Sequence, residues 1–234
     1  MPLSERRLFA LVLLCMTLVL VMQGGAGPRI VVDADKKNIV RVADEFFDPS
    51  DPPPDKDPNH DAFTRWAVDV ESVPKASYAT IDGGYCAVEV VVTEVSVKAG
   101  GEIKVFLPNG ADEALRAHEE GHVTIAEEGF KIVAKTISED VFSAFPASFR
   151  INVNPCTREA IETQVDAALK ALGDKFSDEA STQIQNEITK AQDAYDTATN
   201  DGRDGADGSP ATPKNQSSAA SEAIKDLKKQ FKNR

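Results

Sequence analysis

From Asp112 to Ile137, apolar residues and two histidines recur at three- and four-residue steps: Leu115, His118, His122, Ile125 or Ala126, Gly129 or Phe130, Val133 and Ile137. That period specifies one long amphipathic helix whose stripe must be buried against other elements. His118 and His122 stand one turn apart on the inward face, where an imidazole has to find hydrogen bonds or a metal ion. The segment His118-Glu119-Glu120-Gly121-His122 matches HExxH, in which both imidazoles reach one ion and the intervening Glu acts on water. The competing reading is a pair of satisfied core histidines beside a solvated Glu pair. Gly121 costs the helix about 1 kcal/mol against alanine, so a neighbouring group is expected close to the backbone there.

Short apolar runs surround this helix. Ile30 to Val32 and Ile39 to Val42 read as β-strands, and Asp48 to Asp61 reads as a Pro/Asp-rich loop that carries His60. Trp66, Val68 and Val70 alternate. Cys86, Val88, Val90 and Val92 share one strand face while Val95 and Val97 take the other, which predicts a bulge near Thr93. Gly100-Gly101 is read as a turn into a strand at Ile103, Val105 and Leu107, a candidate edge for strand addition by an extended substrate. After Asn154-Pro155, one helix is expected from Thr157 to Leu172 with Gly173 as its stop. Another is expected from Ser177 to Thr199, with Ala180, Ile184, Ile188, Ala191 and Tyr195 inward. Beyond Asn200, glycines and aspartates suggest a flexible tail that ends in a short basic helix within 218–232.

Residues 1–26 combine Arg6 and Arg7, an apolar run from Leu8 to Met22 and small residues up to Ala26, the pattern of a cleaved signal peptide. The expected organisation is then an N-terminal extension over 27–62, a metal-binding domain over 63–202 and a tail over 203–234. No stable membrane span remains after cleavage. A formal net charge of −12 repels phosphate and excludes nucleic acid as a partner. In an oxidising compartment Cys86 and Cys156 are expected to pair. Their alternative use as thiolate metal ligands lacks close CxxC spacing.

The order of these features resembles a bacterial family of predicted secreted zinc-dependent proteases, long filed as a domain of unknown function. The residues that carry the resemblance are Tyr85-Cys86, Leu107-Pro108, His118 to His122 with Ile125-Ala126-Glu127, Cys156, and the segment Tyr195-Asp196-Thr197-Ala198-Thr199-Asn200-Asp201-Gly202. They fall within residues 63–205. The resemblance implies a zincin-like α+β fold, with a small antiparallel sheet packed on the HExxH helix and the C-terminal helices. It also implies a bound Zn2+ and a peptide or protein substrate. In one place the chain departs from the pattern: the family's histidine before the final glycine is Asp201 here.

A catalytic zinc takes three protein ligands. His118 and His122 supply two. Glu128, six residues after His122, would need the helix to stop at position 125, and Ile125-Ala126 gives no stop. Asp201, in the family's histidine slot, is the preferred third ligand, against a plain helix-ending Asn-Asp-Gly turn. Glu119 is the expected general base and Tyr195 a candidate oxyanion donor, against a core tyrosine. Glu127 or Asp196 could hold an imidazole by its other nitrogen. The functional expectation is an exported zinc-dependent peptidase. The alternative is a non-catalytic extracytoplasmic zinc-binding or envelope-associated module on the same fold.

Overall fold

The computed structural model describes residues 27–54, 61–81 and 86–232; the expected leader and His60 lie outside them. Two long strands form the frame, β4 (Phe63–Ile81) and β5 (Cys86–Pro108), paired antiparallel from Phe63↔Phe106 to Ile81↔Ala87. Their register shifts where Lys75 faces Glu94 and Ala76 faces Val92, so Thr93 is the extra residue and the expected bulge is present. β5 runs unbroken through Gly100-Gly101, where a turn was expected. A Cβ at Gly100 would lie 2.8 Å from the Asn38 carbonyl oxygen, so close backbone approach explains the glycine.

The sheet is mixed, which corrects the expected antiparallel one. β6 (Ser148–Val153) pairs antiparallel with the first part of β5. Farther along the same edge, β1 (Arg29–Asp33), β2 (Ile39–Arg41) and β3 (Glu45–Phe47) pair with β5 in parallel. These three strands are one extended segment interrupted by a 3-10 turn at Lys36–Asn38. Alternation assigns side chains to faces but carries no strand direction. β5 is therefore the spine of the sheet, not an edge. The outer edge of β4 is occupied at two amides, with Val68 N donating to Gln185 Oε1 (3.1 Å) and Val70 N to Ser181 Oγ (3.0 Å).

Helix α1 spans Glu113–Phe142, and the Asp112 carboxylate caps it by accepting from Leu115 N at 2.8 Å. Its stripe is buried as the period requires, with Ile125, Phe130 and Val133 fully enclosed against the β5 valines and the other helices. Helix α2 is one element, Arg158–Thr199, and Gly173 does not stop it. A Cβ at Gly173 would lie 2.8 Å from Ser72 Oγ, so the glycine lets the helix pass close over β4. Helix α3 (Pro213–Phe231) opens with a Thr212/Asn215 capping box and buries Ala219, Ala220, Ile224 and Leu227 in the same core as α1 and α2. Much of the segment expected to be a flexible tail is thus part of the folded body. The short helix expected within 218–232 is present and begins earlier; its docking went unread because alanines at helical spacing carry a weak apolar signal. Cys86 and Cys156 form a disulfide that ties the start of β5 to the entry of α2. No helix among the described residues is long and apolar enough to cross a membrane.

Candidate metal centre

The helical period of α1 puts His118 and His122 on one face, with ring centroids 4.7 Å apart and near-perpendicular planes. Their Nε2 atoms lie 3.1 Å apart. Asp196, on the last turn of α2, brings its Oδ1 to 2.9 Å from His122 Nε2 and 3.3 Å from His118 Nε2. These three residues could hold a metal ion between them. A tetrahedral ion with bonds of ~2.0–2.1 Å separates its ligand atoms by roughly 3.3 Å, so the observed triangle has the size of one coordination face. Beyond the two ring nitrogens, the buried Asp196 Oδ1 has no hydrogen-bond partner. A buried carboxylate oxygen beside two ring nitrogens is the arrangement that a cation satisfies.

The outer nitrogens are held by amides. His118 Nδ1 lies 3.2 Å from Gln216 Oε1, and His122 Nδ1 contacts Gln192 Oε1. Glu127 and Asp196, the residues expected in this role, do not fill it: Glu127 pairs with Lys36 at 2.8 Å, and Asp196 faces the inner nitrogens. Glu128 also turns to Lys36, at 3.0 Å, as the uninterrupted helix requires.

Asp201 is not in the group. It is exposed in the left-handed turn after α2 (φ 52°), one turn beyond Asp196, and its backbone N–H donates to the Asp196 carbonyl. Asp196 takes its place because the helix continues to Thr199 and aims this earlier carboxylate at the imidazoles. The signal available in the sequence was Gln192 and Asp196 four residues apart, polar residues bordering the apolar stripe of α2. The neighbouring glycine of that turn, Gly202 (φ 81°), packs on His118, where a Cβ would lie 2.7 Å from the ring Cγ.

Tyr195 is fully buried and stacks on the His118 ring at 4.9 Å. Its hydroxyl lies 3.0 Å from Gln216 Oε1 and 3.2 Å from the His118 carbonyl, so its proton points into the protein. That overturns the expectation of an oxyanion donor, because the phenol is behind the imidazoles and closed to substrate. Gly121 is where Tyr195 fits, since a Cβ there would lie 2.5 Å from Tyr195 Cζ. The close approach expected at Gly121 is the tyrosine itself.

Glu119 is 3 % exposed and accepts a 2.7 Å hydrogen bond from Thr64 Oγ1 on β4. Burial pushes its carboxyl up, and the two imidazoles and the Thr64 hydroxyl offset this only in part. Burial opposes charge on His122 too, but the Asp196 carboxylate outweighs it and raises the imidazole. Asp196 itself is pushed up by burial and held well below the ordinary carboxylate range by the two histidines. Burial keeps the Tyr195 phenol protonated far into the alkaline range. A buried carboxyl thus stands beside a compact group of donor atoms.

Comparison of the chain with known protein families, with characterised proteins and with solved structures gives no match to any of the three.

Proposed function

We propose that this chain is an exported zinc-dependent peptidase in which His118, His122 and Asp196 hold the metal and Glu119 is the general base. The observation that carries the reading is the convergence of three donor atoms within 3.3 Å of one another, one of them a buried carboxylate oxygen with no hydrogen-bond partner beyond the two ring nitrogens. When bound, zinc would supply a Lewis acid that polarises water and the scissile carbonyl. Glu119 takes the proton that the attacking water gives up and returns it to the departing amide nitrogen. Thr64 Oγ1 holds one carboxylate oxygen of Glu119 and so fixes the other for that transfer. The resemblance to the bacterial secreted zinc-dependent proteases and a zincin-like architecture fits the same assignment. The Cys86–Cys156 disulfide agrees with an extracytoplasmic location.

A second reading, a non-catalytic zinc-binding module, is favoured by closure, since His118 and Glu119 are each only 3 % exposed. Metal analysis of the purified protein and assay of Glu119→Gln on casein-type substrates separate the two. The peptidase reading expects bound zinc in both forms and hydrolysis in the wild type alone. Zinc without hydrolysis in the wild type establishes the module instead. Absence of zinc in the wild type overturns both.

A further inference from the structure

The two glutamines that touch the imidazoles are themselves fixed in orientation. Gln192 Nε2 donates to the His122 carbonyl at 3.0 Å, and Gln216 Nε2 donates to the Asp204 carbonyl at 2.8 Å. Each NH2 group is therefore committed to a backbone acceptor, and each amide oxygen is left facing an imidazole Nδ1. Gln216 is further constrained by the Tyr195 hydroxyl, which donates to the same oxygen at 3.0 Å. Turning either amide over would set its oxygen against a carbonyl and its NH2 against a ring N–H or a phenol proton. An amide oxygen can only accept, so the facing Nδ1 must carry hydrogen. In a neutral ring the lone pair is then on Nε2, directed at the point that the two rings share with Asp196 Oδ1.

We propose that Gln192 and Gln216 are positioning residues of the metal centre, locking both imidazoles in the Nδ1–H form, and that α3 is thereby an integral part of the centre. This rests on the metal-binding reading above but concerns different residues. Gln216 is fully buried, although it sits near the start of a helix in the segment whose composition suggests a tail. It joins four parts of the chain: His118 on α1, Tyr195 on α2, the Asp204 turn and α3. The outer partners are also uncharged. Carboxylates there would make the ligand imidazoles more basic and the ion less electrophilic, whereas amides orient the rings and leave the site its full Lewis acidity.

The test uses the full-length, disulfide-intact protein and its Gln216→Leu, Gln216→Glu and Gln192→Leu variants. Zinc affinity is read by competition with a chromophoric chelator, and the imidazole tautomers by long-range proton–nitrogen NMR. Gln216→Leu and Gln192→Leu are each expected to weaken zinc binding by roughly 10- to 100-fold, the usual cost of losing an outer partner of a metal-bound histidine. Gln216→Glu keeps an acceptor at His118 Nδ1 and, with hydrogen on the oxygen that faces the Asp204 carbonyl, is expected to hold zinc affinity within roughly 10-fold of the wild type. In the metal-free wild type, His118 Nδ1 is expected to carry hydrogen. Wild-type affinity in both leucine variants overturns the proposal, as does an Nε2–H form of His118 in the metal-free wild type. Should the leucine variants fail to fold, the wild-type tautomer and the Gln216→Glu affinity decide. A wild type that binds no zinc yet shows Nδ1–H at His118 would refute the peptidase reading while leaving the tautomer lock standing.

Discussion

Replacing Gly121 by alanine should separate helix propensity from the packing of the metal centre. In an unobstructed helix interior the change would stabilise by about 1 kcal/mol. Here the new methyl would lie 2.5 Å from Tyr195 Cζ and 3.0 Å from Cε1, and Tyr195 has no exposed surface through which to withdraw. Forcing an extra carbon into a filled core costs roughly 1–3 kcal/mol, and moving the phenol also breaks its hydrogen bond to Gln216, worth about 1 kcal/mol. Adding the hydrogen bond to the middle of the first range and subtracting the propensity gain leaves a net loss of about 2 kcal/mol. At a urea slope of about 2 kcal/mol/M the midpoint would fall by about 1 M. Gly129→Ala on the same helix is the control. Its methyl would meet only the branched ends of Ile188 (3.2 Å) and Leu227 (3.4 Å), and should leave stability within about 1 kcal/mol of wild type. Urea titrations of both variants with the disulfide intact measure the difference. A Gly121→Ala protein as stable as the control would refute the assignment of Gly121 to the seat of Tyr195.

Reduction of Cys86–Cys156, which closes a span of 70 residues, should lower stability by about 4 kcal/mol, read from urea midpoints with and without reductant. Metal-free Glu119→Gln should be more stable than the metal-free wild type at pH 7. Burial raises the Glu119 carboxyl above its unfolded value, so its stabilising contribution is complete below the unfolded pKa and is lost as pH rises through the folded one. The gap between the two proteins should therefore close as the pH is lowered towards 4, and a wild type equal to the variant at pH 7 would contradict this. Arg41, which grips Glu120 through two contacts of 2.8 and 2.9 Å on the outer side of α1, is partly exposed with its partner. Arg41→Ala should cost less than about 1 kcal/mol, a loss that shrinks in 1 M salt, and should leave zinc affinity unchanged.

What could be read from the sequence depended on how local the physics was. The α1 stripe, the Asp112 start and the Thr93 phase change each follow from period or chemistry within a few residues, the pairing of Cys86 with Cys156 follows from their being the two cysteines outside the expected leader, and each is present. Glycine misled where its neighbour was distant. Gly173 looked like a helix stop and Gly100-Gly101 like a turn, but both accommodate close approach by groups more than 50 residues away, Ser72 and Asn38. The direction of β1, β2 and β3 was invisible because alternation is the same in both senses. At the centre, HExxH marked two of the three residues that could hold an ion, and the buried Glu119 between them. The third candidate ligand was placed at Asp201 because that residue fills the resembled family's histidine slot, although a helix ending at Thr199 leaves Asp201 past its end and sets Asp196 beside the inward Tyr195. Gln216 had one faint cue: it precedes Ala219 and Ala220 at helical spacing and so extends the buried stripe of α3.

The separation of the centre's parts along the chain also sets an order in time. During synthesis the two imidazoles emerge first, Asp196 follows 74 residues after His122, and Gln216 comes 98 residues after His118. Until α2 is complete the nascent chain offers an ion only two nitrogens, and until α3 docks one of those rings is free to turn. On the proposed ligand set, metal capture would close folding rather than nucleate it, and a chain interrupted in the Asp204–Pro210 turn would keep His118, His122 and Asp196 yet lack the amide that faces His118 Nδ1.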